Sequence, residues 1–224
     1  MFIALEGLDG AGKSTQIKLL KNYFENNSKR NKYLHFPRFD TPFFGELIAK
    51  FLRGDFGKIN DVNPYIVALL FAQDRHEASD TIRKWLDLNY NVIVDRYVYS
   101  NIAYQCAKID SKDERNALRN WIFELEYSYF KIPKPDVSIF LDVPFAFTAN
   151  RLNKARSGAD RNYLNGKQDI HEKNLDLQRR VREIYTEQQN TDASFKIINC
   201  TLHDGNMLAP HLIFEQIIKN LPDI

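Results

Sequence analysis

Near the start of the chain, glycines are followed by a lysine and a serine at a spacing that suits phosphate binding. Gly7, Gly12, Lys13 and Ser14 fit the pattern G-x-x-x-x-G-K-[ST]. Glycines allow backbone N–H groups to close around a polyphosphate, Lys13 neutralises the outer phosphates, and the Ser14 hydroxyl is a ligand for Mg²⁺. The pattern therefore predicts a nucleoside triphosphate site. The predicted contacts are Gly7, Leu8, Asp9, Gly10, Ala11, Gly12, Lys13, Ser14 and Thr15.

The segments on either side of this motif have the patterns of a strand and a helix. Phe2 to Leu5 is a short apolar run, which is typical of a buried parallel strand. After the motif, Ile17, Leu20 and Phe24 share one helical face. The alternative interpretation is a chance glycine turn, which would need neither a strand before it nor a helix after it. We therefore interpret residues 7–15 as a phosphate-binding loop, the P-loop, leading into a helix whose N-terminus favours anions.

A second charged pair, Asp95 and Arg96, follows the apolar run Val92-Ile93-Val94. In parallel α/β sheets, ligands bind outside the carboxyl ends of the strands, so this pair is expected to face the P-loop. A carboxylate there holds Mg²⁺ through water, and an arginine clamps a phosphate with two parallel hydrogen bonds. The alternative is that Asp95 caps the next helix and pairs with Arg96 at the surface.

A helical segment in the middle of the chain carries Phe71 and Arg75, which lie one above the other at i and i+4. An aromatic face with a guanidinium suits a planar, oxygen-bearing base that is stacked on one side and hydrogen-bonded at its edge. Periodicity alone leaves an alternative open, in which Phe71 is core and Arg75 is solvated or faces a dimer partner. Asn101, Tyr104 and Gln105 form a similar polar face soon after Arg96.

Between two helical patterns lies a stretch rich in cations, which predicts a mobile lid over approximately residues 151–169. A lid closes over the triphosphate and supplies arginines to the transferred group, whereas the alternative is an exposed basic loop. Asp169 and Glu172 predict a capping box at the start of the next helix. The cations are Arg151, Lys154, Arg156, Arg161 and Lys167.

Five apolar segments alternate with helical patterns along the chain. This alternation predicts an α/β fold with a five-stranded parallel sheet flanked by helices. A cap at Asn63 followed by Pro64 predicts a long helix that extends to about Asn89. The predicted strands are Phe2 to Leu5, Lys32 to Phe36, Asn91 to Asp95, Val137 to Asp142, and Phe195 to Asn199.

Composition limits the partners and the compartment. The 224 residues, 44% of them hydrophobic, suit one domain, and the net charge of +2 argues against a nucleic-acid partner. The longest apolar run, Tyr65 to Ala72, is too short to span a membrane, and no signal peptide follows Met1. Cys106 and Cys200 have no metal-ligand spacing, which favours buried free thiols in a reducing compartment. We therefore expect a cytoplasmic protein.

Several motifs occur in the order in which they occur in one enzyme family. Besides the P-loop, they are Phe36-Pro37-Arg38, Phe71-Ala72-Gln73-Asp74-Arg75, Asp95-Arg96-Tyr97 with Ser100-Asn101, and Pro133-Lys134-Pro135-Asp136. From Phe2 to about Tyr185, the chain resembles the thymidylate kinases. The resemblance implies a P-loop NTPase fold, a homodimer, and phosphorylation of dTMP to dTDP by ATP with Mg²⁺.

The resemblance also implies roles for individual residues on the acceptor side. Phe71 would stack on thymine and Arg75 would hydrogen-bond its edge. Asn101 and Tyr104 would enclose the nucleoside, and Tyr104 would disfavour a ribose 2′-hydroxyl. The remaining expected substrate contacts are Phe36 in its motif, Asp9 at the sugar 3′-hydroxyl, and Arg38 and Arg96 at the monophosphate.

The expected catalytic cations are Lys13, Arg96 and one or both of two lid arginines. Some thymidylate kinases carry an arginine directly after the P-loop aspartate, but this chain has Gly10 there, so the resemblance assigns that work to Arg156 or Arg161. Ser14 and Asp95 are the expected metal ligands. An already ionised monophosphate acceptor needs alignment and charge neutralisation but no general base.

Two other functions are weighed against this one. A deoxynucleoside kinase phosphorylates a 5′-hydroxyl and requires a carboxylate base, for which Asp9 is the candidate. A non-catalytic P-loop switch binds nucleotide without making a product. Guanine switches usually carry Asn-Lys-x-Asp, whereas Asn31-Lys32 and Asn153-Lys154 lack the aspartate.

Overall fold

Five parallel strands form one sheet through the centre of the molecule. The computed structural model describes residues 1–153, 159–167, 169–172 and 174–222, with the backbone alone for residues 153, 159–161 and 190. Its strands are β1 (Phe2–Glu6), β2 (Asn31–His35), β3 (Asn91–Asp95), β4 (Val137–Asp142) and β5 (Phe195–Asn199). They lie in the order β2-β3-β1-β4-β5, and every neighbouring pair is parallel.

Helices cover both faces of the sheet. A π-helix, Glu124–Tyr129, continues α5 directly, and short 3₁₀ helices span Ala159–Leu164 and Gln188–Asn190. The α-helices in the described part of the chain are α1 (Lys13–Asn26), α2 (Phe44–Leu52), α3 (Pro64–Asp87), α4 (Val98–Cys106), α5 (Lys112–Phe123), α6 (Phe145–Asn153), α7 (Leu175–Glu187) and α8 (Pro210–Lys219).

The core consists of two apolar layers, because successive side chains of a strand point to opposite faces. Phe2 and Ala4 of β1 pack into a cluster with residues of α3, α4, α5 and α7. Ile3 and Leu5 pack into a second cluster with α1 and α8. All five β1 residues are buried, which explains the continuous apolar run in the sequence.

The register of the strands brings their carboxyl ends to one edge. Leu5 of β1 lies opposite Asp95 of β3, and His35 at the end of β2 lies opposite the same Asp95. Glu6 lies opposite Phe140 of β4. The loops that follow β1, β2 and β3 therefore emerge side by side, and this edge is where the ligand site is expected.

The predicted α/β architecture, with five parallel strands, is confirmed. Helix α3 begins as expected, because the Asn63 side chain accepts a hydrogen bond from the Tyr65 N–H at 2.9 Å and Pro64 occupies the first turn. Cys106 and Cys200 are buried free thiols, as predicted. Among the described residues, no helix is long and apolar enough to cross a membrane.

The predicted start of α7 is wrong. The helix begins at Leu175, and Asn174 caps it by accepting from the Leu177 N–H at 3.0 Å. Asp169 instead accepts from the N–H groups of His171 and Glu172, in a turn before the helix. A carboxylate with two nearby backbone donors satisfies a tight turn as well as a helix N-terminus, so the sequence pattern was ambiguous.

Candidate active site

A cleft of about 1110 Å³ opens at the carboxyl edge of the sheet. Its walls come from the P-loop, the ends of β2 and β3, helices α3 and α4, and residues between 162 and 172. It contains nearly every described side chain that the sequence assigned to a site. Ser14 lies at the P-loop end, whereas Phe71, Arg75 and Asn101 lie on the wall formed by α3 and α4.

The P-loop owes its shape to glycines at backbone angles that other residues avoid. Gly10 has φ 78° and Gly12 has φ 87°, both in the left-handed region. A Cβ atom at Gly10 would also lie 3.2 Å from Arg151 Cβ. A side chain at Gly10 would therefore be strained and crowded in this structure.

Lys13 folds back over the P-loop. Its Nζ donates to the carbonyls of Gly7 and Leu8 at 3.3 and 3.2 Å and lies 3.8 Å from Asp95 Oδ1. Burial and the nearby Arg96 lower the pKa of Lys13, although Asp95, Asp9 and Glu6 oppose the change. Negative charge arriving at the P-loop would favour the charged ammonium, so the site is prepared electrostatically for an anion.

Asp95 has the properties of a cation ligand. Its Oδ1 is buried and makes no hydrogen bond within the described part of the chain. Burial raises the pKa of Asp95, but Lys13, His35 and Arg96 outweigh this effect and lower the pKa below its usual value. An ionised carboxylate oxygen that makes no hydrogen bond with the described residues, together with the exposed Ser14 hydroxyl, fits a divalent ion that prefers oxygen ligands.

Arg96 is held rigidly beside the P-loop. Its Nη2 donates to Asp9 Oδ1 at 2.8 Å and to the Tyr104 hydroxyl at 3.2 Å, and its Nη1 donates to Ser100 Oγ at 3.2 Å. The Tyr104 hydroxyl in turn donates to Asp9 Oδ2 at 2.7 Å. Arg96 adopts φ 67°, an unfavourable angle for a residue with a side chain, and such strain is common at functional sites.

Glu6 supports this arrangement from below and was missed by the sequence analysis. It is fully buried and accepts hydrogen bonds from the Tyr97 N–H at 3.0 Å, from Ser100 Oγ, and from the Tyr185 hydroxyl at 3.0 Å. Burial raises the pKa of Glu6 despite these bonds. The signal available in the sequence was an acidic residue at the end of an apolar strand, immediately before a glycine loop.

The wall opposite the P-loop carries the aromatic and polar pair predicted on α3. Phe71 lines the cleft, and Arg75 is 2% exposed, so the alternative of a solvated Arg75 is excluded. Arg75 Nε and Nη2 donate to the two carboxylate oxygens of Glu126 at 2.5 and 2.7 Å. Asn101 Nδ2 donates to Glu126 Oε1 and to the Ala68 carbonyl, both at 3.0 Å.

Arg38 lies in the cleft but is tied to α3. Its backbone N–H and its Nε donate to the two carboxylate oxygens of Asp74 at 2.9 and 2.8 Å, and its Nη2 reaches the Asp74 carbonyl at 2.8 Å and Glu77 at 3.2 Å. Phe36 is buried beside it, with its ring 6.0 Å from the Arg38 guanidinium carbon. Asp74, which the sequence analysis named only as part of a motif and gave no role, therefore positions Arg38.

The segment before α7 closes one side of the cleft. The Tyr163 ring stacks on Phe39 at 3.6 Å between centroids, and its hydroxyl donates to Asp169 Oδ2 at 2.7 Å. His171, which the sequence pattern predicts to be structural, stacks on Tyr104 at 5.0 Å between ring centroids. Burial, and then the charge of Asp9, raise the pKa of Asp169 to about 7.

Only part of the predicted lid lies among the described residues. Arg156 lies outside the described residues, and for Arg161 the structure gives the backbone alone. Arg151 reaches the P-loop, where its Nη1 donates to the Gly10 carbonyl at 3.4 Å. The expected roles of Arg156 and Arg161 therefore stay predictions.

A family model described as thymidylate kinase matches residues 5–206. The chain belongs to the thymidylate kinase family. A probable thymidylate kinase of Thermococcus kodakarensis is 38% identical over 204 residues, which are 89% of each chain. A thymidylate kinase of Mycobacterium tuberculosis is 31% identical over 212 residues, covering 93% of this chain and 96% of its own.

A solved structure agrees with the sequence relatives. Thymidylate kinase from Candida albicans matches with a TM-score of 0.68 and 27% identity, over 99% of this chain and 95% of the other. The predicted family, the P-loop fold and the dTMP kinase activity are thereby confirmed. Thymidylate kinases use ATP as the phosphoryl donor, generally with a divalent metal ion, and both substrates are small molecules.

Proposed function

We propose that this chain transfers the γ-phosphoryl group of Mg²⁺-bound ATP directly to the phosphate of dTMP, with thymine read by Phe71, Arg75 and Asn101. The observation that carries the proposal is the pair of unused polar atoms on the cleft wall. Asn101 Oδ1 is buried without a hydrogen-bond partner, and Arg75 Nη1 makes no hydrogen bond with the described residues.

These two atoms match the edge of thymine. Thymine offers one donor, N3–H, next to one acceptor, O4, whereas cytosine offers an acceptor and an amino donor in their place. An acceptor on Asn101 beside a donor on Arg75 pairs with both thymine groups and with neither cytosine group. Phe71 on the same wall supplies a face on which the base stacks.

The acceptor phosphate would lie between this wall and the P-loop, within reach of Arg96. Arg96 is already oriented by Asp9, Tyr104 and Ser100, so little ordering is needed when the phosphate arrives. Lys13 would leave the P-loop carbonyls to contact the outer phosphates of ATP. Because the dTMP phosphate is largely ionised near neutral pH, no general base is required.

Ser14 and Asp95 would hold the metal ion, which we propose to be Mg²⁺. A divalent ion held there would supply positive charge to the phosphates during transfer. Arg156 and Arg161 would complete the cation set when the lid closes. A homodimer and a cytoplasmic location are also proposals, supported by the family resemblance and by the two free thiols respectively.

A nucleoside acceptor fits the site less well. That chemistry needs a carboxylate base, and Asp9 is the sequence candidate. Its two oxygens accept hydrogen bonds from Arg96 and Tyr104, so the carboxylate that would have to act as the base already holds these two side chains. The arrangement favours an acceptor that arrives already ionised.

The test is ADP production from ATP and Mg²⁺ with dTMP, dUMP, dCMP, dGMP and thymidine as separate acceptors. We expect strong turnover with dTMP and little with dCMP or thymidine. A preference for thymidine would move the acceptor to a hydroxyl and make Asp9 the base. ATP binding without acceptor-dependent turnover would contradict the enzymatic account.

A further inference from the structure

Glu126 lies behind the thymine-reading wall, outside the residues that the sequence assigned to the site. It is on the π-helix Glu124–Tyr129 and is fully buried. Its Oε1 accepts from both Arg75 Nη2 and Asn101 Nδ2, and its Oε2 accepts from Arg75 Nε. One carboxylate therefore holds both polar side chains that face the base.

An ionised carboxylate can accept hydrogen bonds but cannot donate them, and this decides which way the Asn101 amide faces. The amide has two neighbours on one side, Glu126 Oε1 and the Ala68 carbonyl, and both are acceptors. Its nitrogen must lie between them, since its oxygen would face two lone pairs. Within the part of the chain that the structure describes, Oδ1 is therefore the atom left without a hydrogen-bond partner.

The same carboxylate determines what Arg75 has left to offer. Nε and Nη2 are both bound to Glu126, as a bidentate pair at 2.5 and 2.7 Å. The remaining donor is Nη1. Glu126 thus fixes an acceptor on Asn101 beside a donor on Arg75, which is the order that thymine requires.

The local backbone is consistent with such a role. The chain passes from α5 into a π-helix at Glu124. π-Helical turns are rare in proteins overall, and many of those that occur lie at functional sites. Burial of two charges is costly unless both are paired and hydrogen-bonded, and the Arg75–Glu126 pair meets this condition. A purely apolar contact would pack this space without ordering the donors.

We propose that Glu126 is a positioning residue that sets base specificity, by holding the donor and acceptor of the thymine-reading wall in one order. The proposal rests on the proposed function. In Glu126→Gln the side chain has one oxygen for the three N–H donors, which are Arg75 Nε, Arg75 Nη2 and Asn101 Nδ2. At least one of these donors then faces the amide nitrogen of the glutamine, which is also a donor. Asn101 is then free to turn its amide and offer a donor, and Arg75, which has only donors, is free to move off the base edge, so a base with the opposite hydrogen-bond order is discriminated against less strongly.

The test compares three acceptors for the wild type and for E126Q. dTMP and 5-methyl-dCMP differ only at the edge that the wall reads, whereas dTMP and dUMP differ only at the 5-methyl group. We expect E126Q to lower kcat/KM for dTMP by about 10- to 100-fold. The preference for dTMP over 5-methyl-dCMP should shrink at least 10-fold, and the preference over dUMP should stay within 3-fold.

A ratio of two kcat/KM values from one preparation does not depend on the folded fraction, so partial unfolding leaves it interpretable. If E126Q yields no active enzyme, the shorter pair E126D and E126N makes the same comparison. E126D, which only accepts, should then discriminate more strongly than E126N. Equal discrimination by E126D and E126N, or a wild-type ratio in E126Q, would overturn the proposal.

Asp192→Asn is the matched control. Asp192 is a half-buried carboxylate that accepts from Tyr99 and Ser194, away from the cleft. Its replacement should leave the ratio of dTMP to 5-methyl-dCMP unchanged. Failure of the proposed function itself would be separate, because it would appear in the wild type as absence of a dTMP preference.

Discussion

Asp9 and Arg96 meet in an ion pair, with Asp9 Oδ1 2.8 Å from Arg96 Nη2, although 87 positions separate them in the chain. The parallel register of β1 and β3 produces this contact, since Leu5 lies opposite Asp95. The pair keeps a strained, half-buried arginine in place before any substrate binds. An incoming phosphate finds its guanidinium already oriented.

Replacing Arg96 should therefore damage turnover more than binding of ATP. We expect R96A to lower kcat by roughly 10²- to 10³-fold, the effect of removing one preorganised donor to developing charge. R96K should be only partly active, because it keeps the charge but loses the two-pronged geometry. Steady-state kinetics measures both. The exposed Arg179→Ala is the control, and an R96A enzyme with near-normal kcat would contradict the assignment.

Phe71 should contribute to binding of dTMP but not of ATP. Base–aromatic stacking contributes about 1–3 kcal/mol, so F71A should weaken dTMP binding roughly 5- to 150-fold. Phe71→Leu keeps apolar volume but has no aromatic face, so it should still lose most of the stacking contribution to dTMP binding. Calorimetric titration with dTMP and with an ATP analogue tests whether only the binding of dTMP is weakened. Equal losses for both ligands would show that Phe71 is only core.

Asp95 should determine the Mg²⁺ concentration that the enzyme needs for activity. Removing Mg²⁺ with a chelator should abolish turnover, and added Mg²⁺ should restore it. D95N should raise the Mg²⁺ concentration for half-maximal activity at least 10-fold, because a neutral amide replaces the ionised oxygen, while the KM for dTMP stays nearly unchanged. Activity as a function of free Mg²⁺ measures this. An unchanged Mg²⁺ requirement in D95N would remove Asp95 from the metal site.

Asp169 should make stability depend on pH. Its pKa is raised from 3.8 to about 7, so between these values the folded chain binds more protons than the unfolded chain. Stability is therefore lost as pH rises through this window and levels off above it. D169N avoids the loss, and its stability relative to wild type should increase by roughly 2–3 kcal/mol from pH 5 to pH 8.

Denaturant unfolding at both pH values measures the effect of D169N. The exposed Asp176→Asn variant should show no comparable pH dependence, because its side chain is 90% exposed. A stability difference between D169N and wild type that stays constant from pH 5 to pH 8 would mean that Asp169 is ionised in the folded chain throughout.

The sequence was sufficient for the sheet and the P-loop because both depend on local pattern. The β-branched apolar run Val92-Ile93-Val94 is typical of a buried strand, and Gly12 before Lys13 favours the left-handed turn that the structure shows. Helix α2 was not anticipated, although its buried residues Ile48, Phe51 and Leu52 have helical spacing, because no side chain caps its N-terminus to mark where the helix begins. The capping motif at Asp169 was misassigned because Asn174 competes for the same role.

The supporting residues of the site were less accessible to sequence analysis. Glu126 is 51 positions from Arg75, and nothing local distinguishes it from a surface glutamate. Asp74 is adjacent to Arg75, but its partner Arg38 comes from the loop after β2. Such contacts depend on how helices pack across the sheet. Residue type and spacing predict which side chains reach the substrate better than they predict which ones hold them.

The central claim is direct transfer between two phosphates, and the most direct measurement follows the label from [γ-³²P]ATP with dTMP in excess. We predict that the label appears in dTDP, with one dTDP formed per ADP. Label released mainly as inorganic phosphate, or transferred to thymidine in preference to dTMP, would contradict the account.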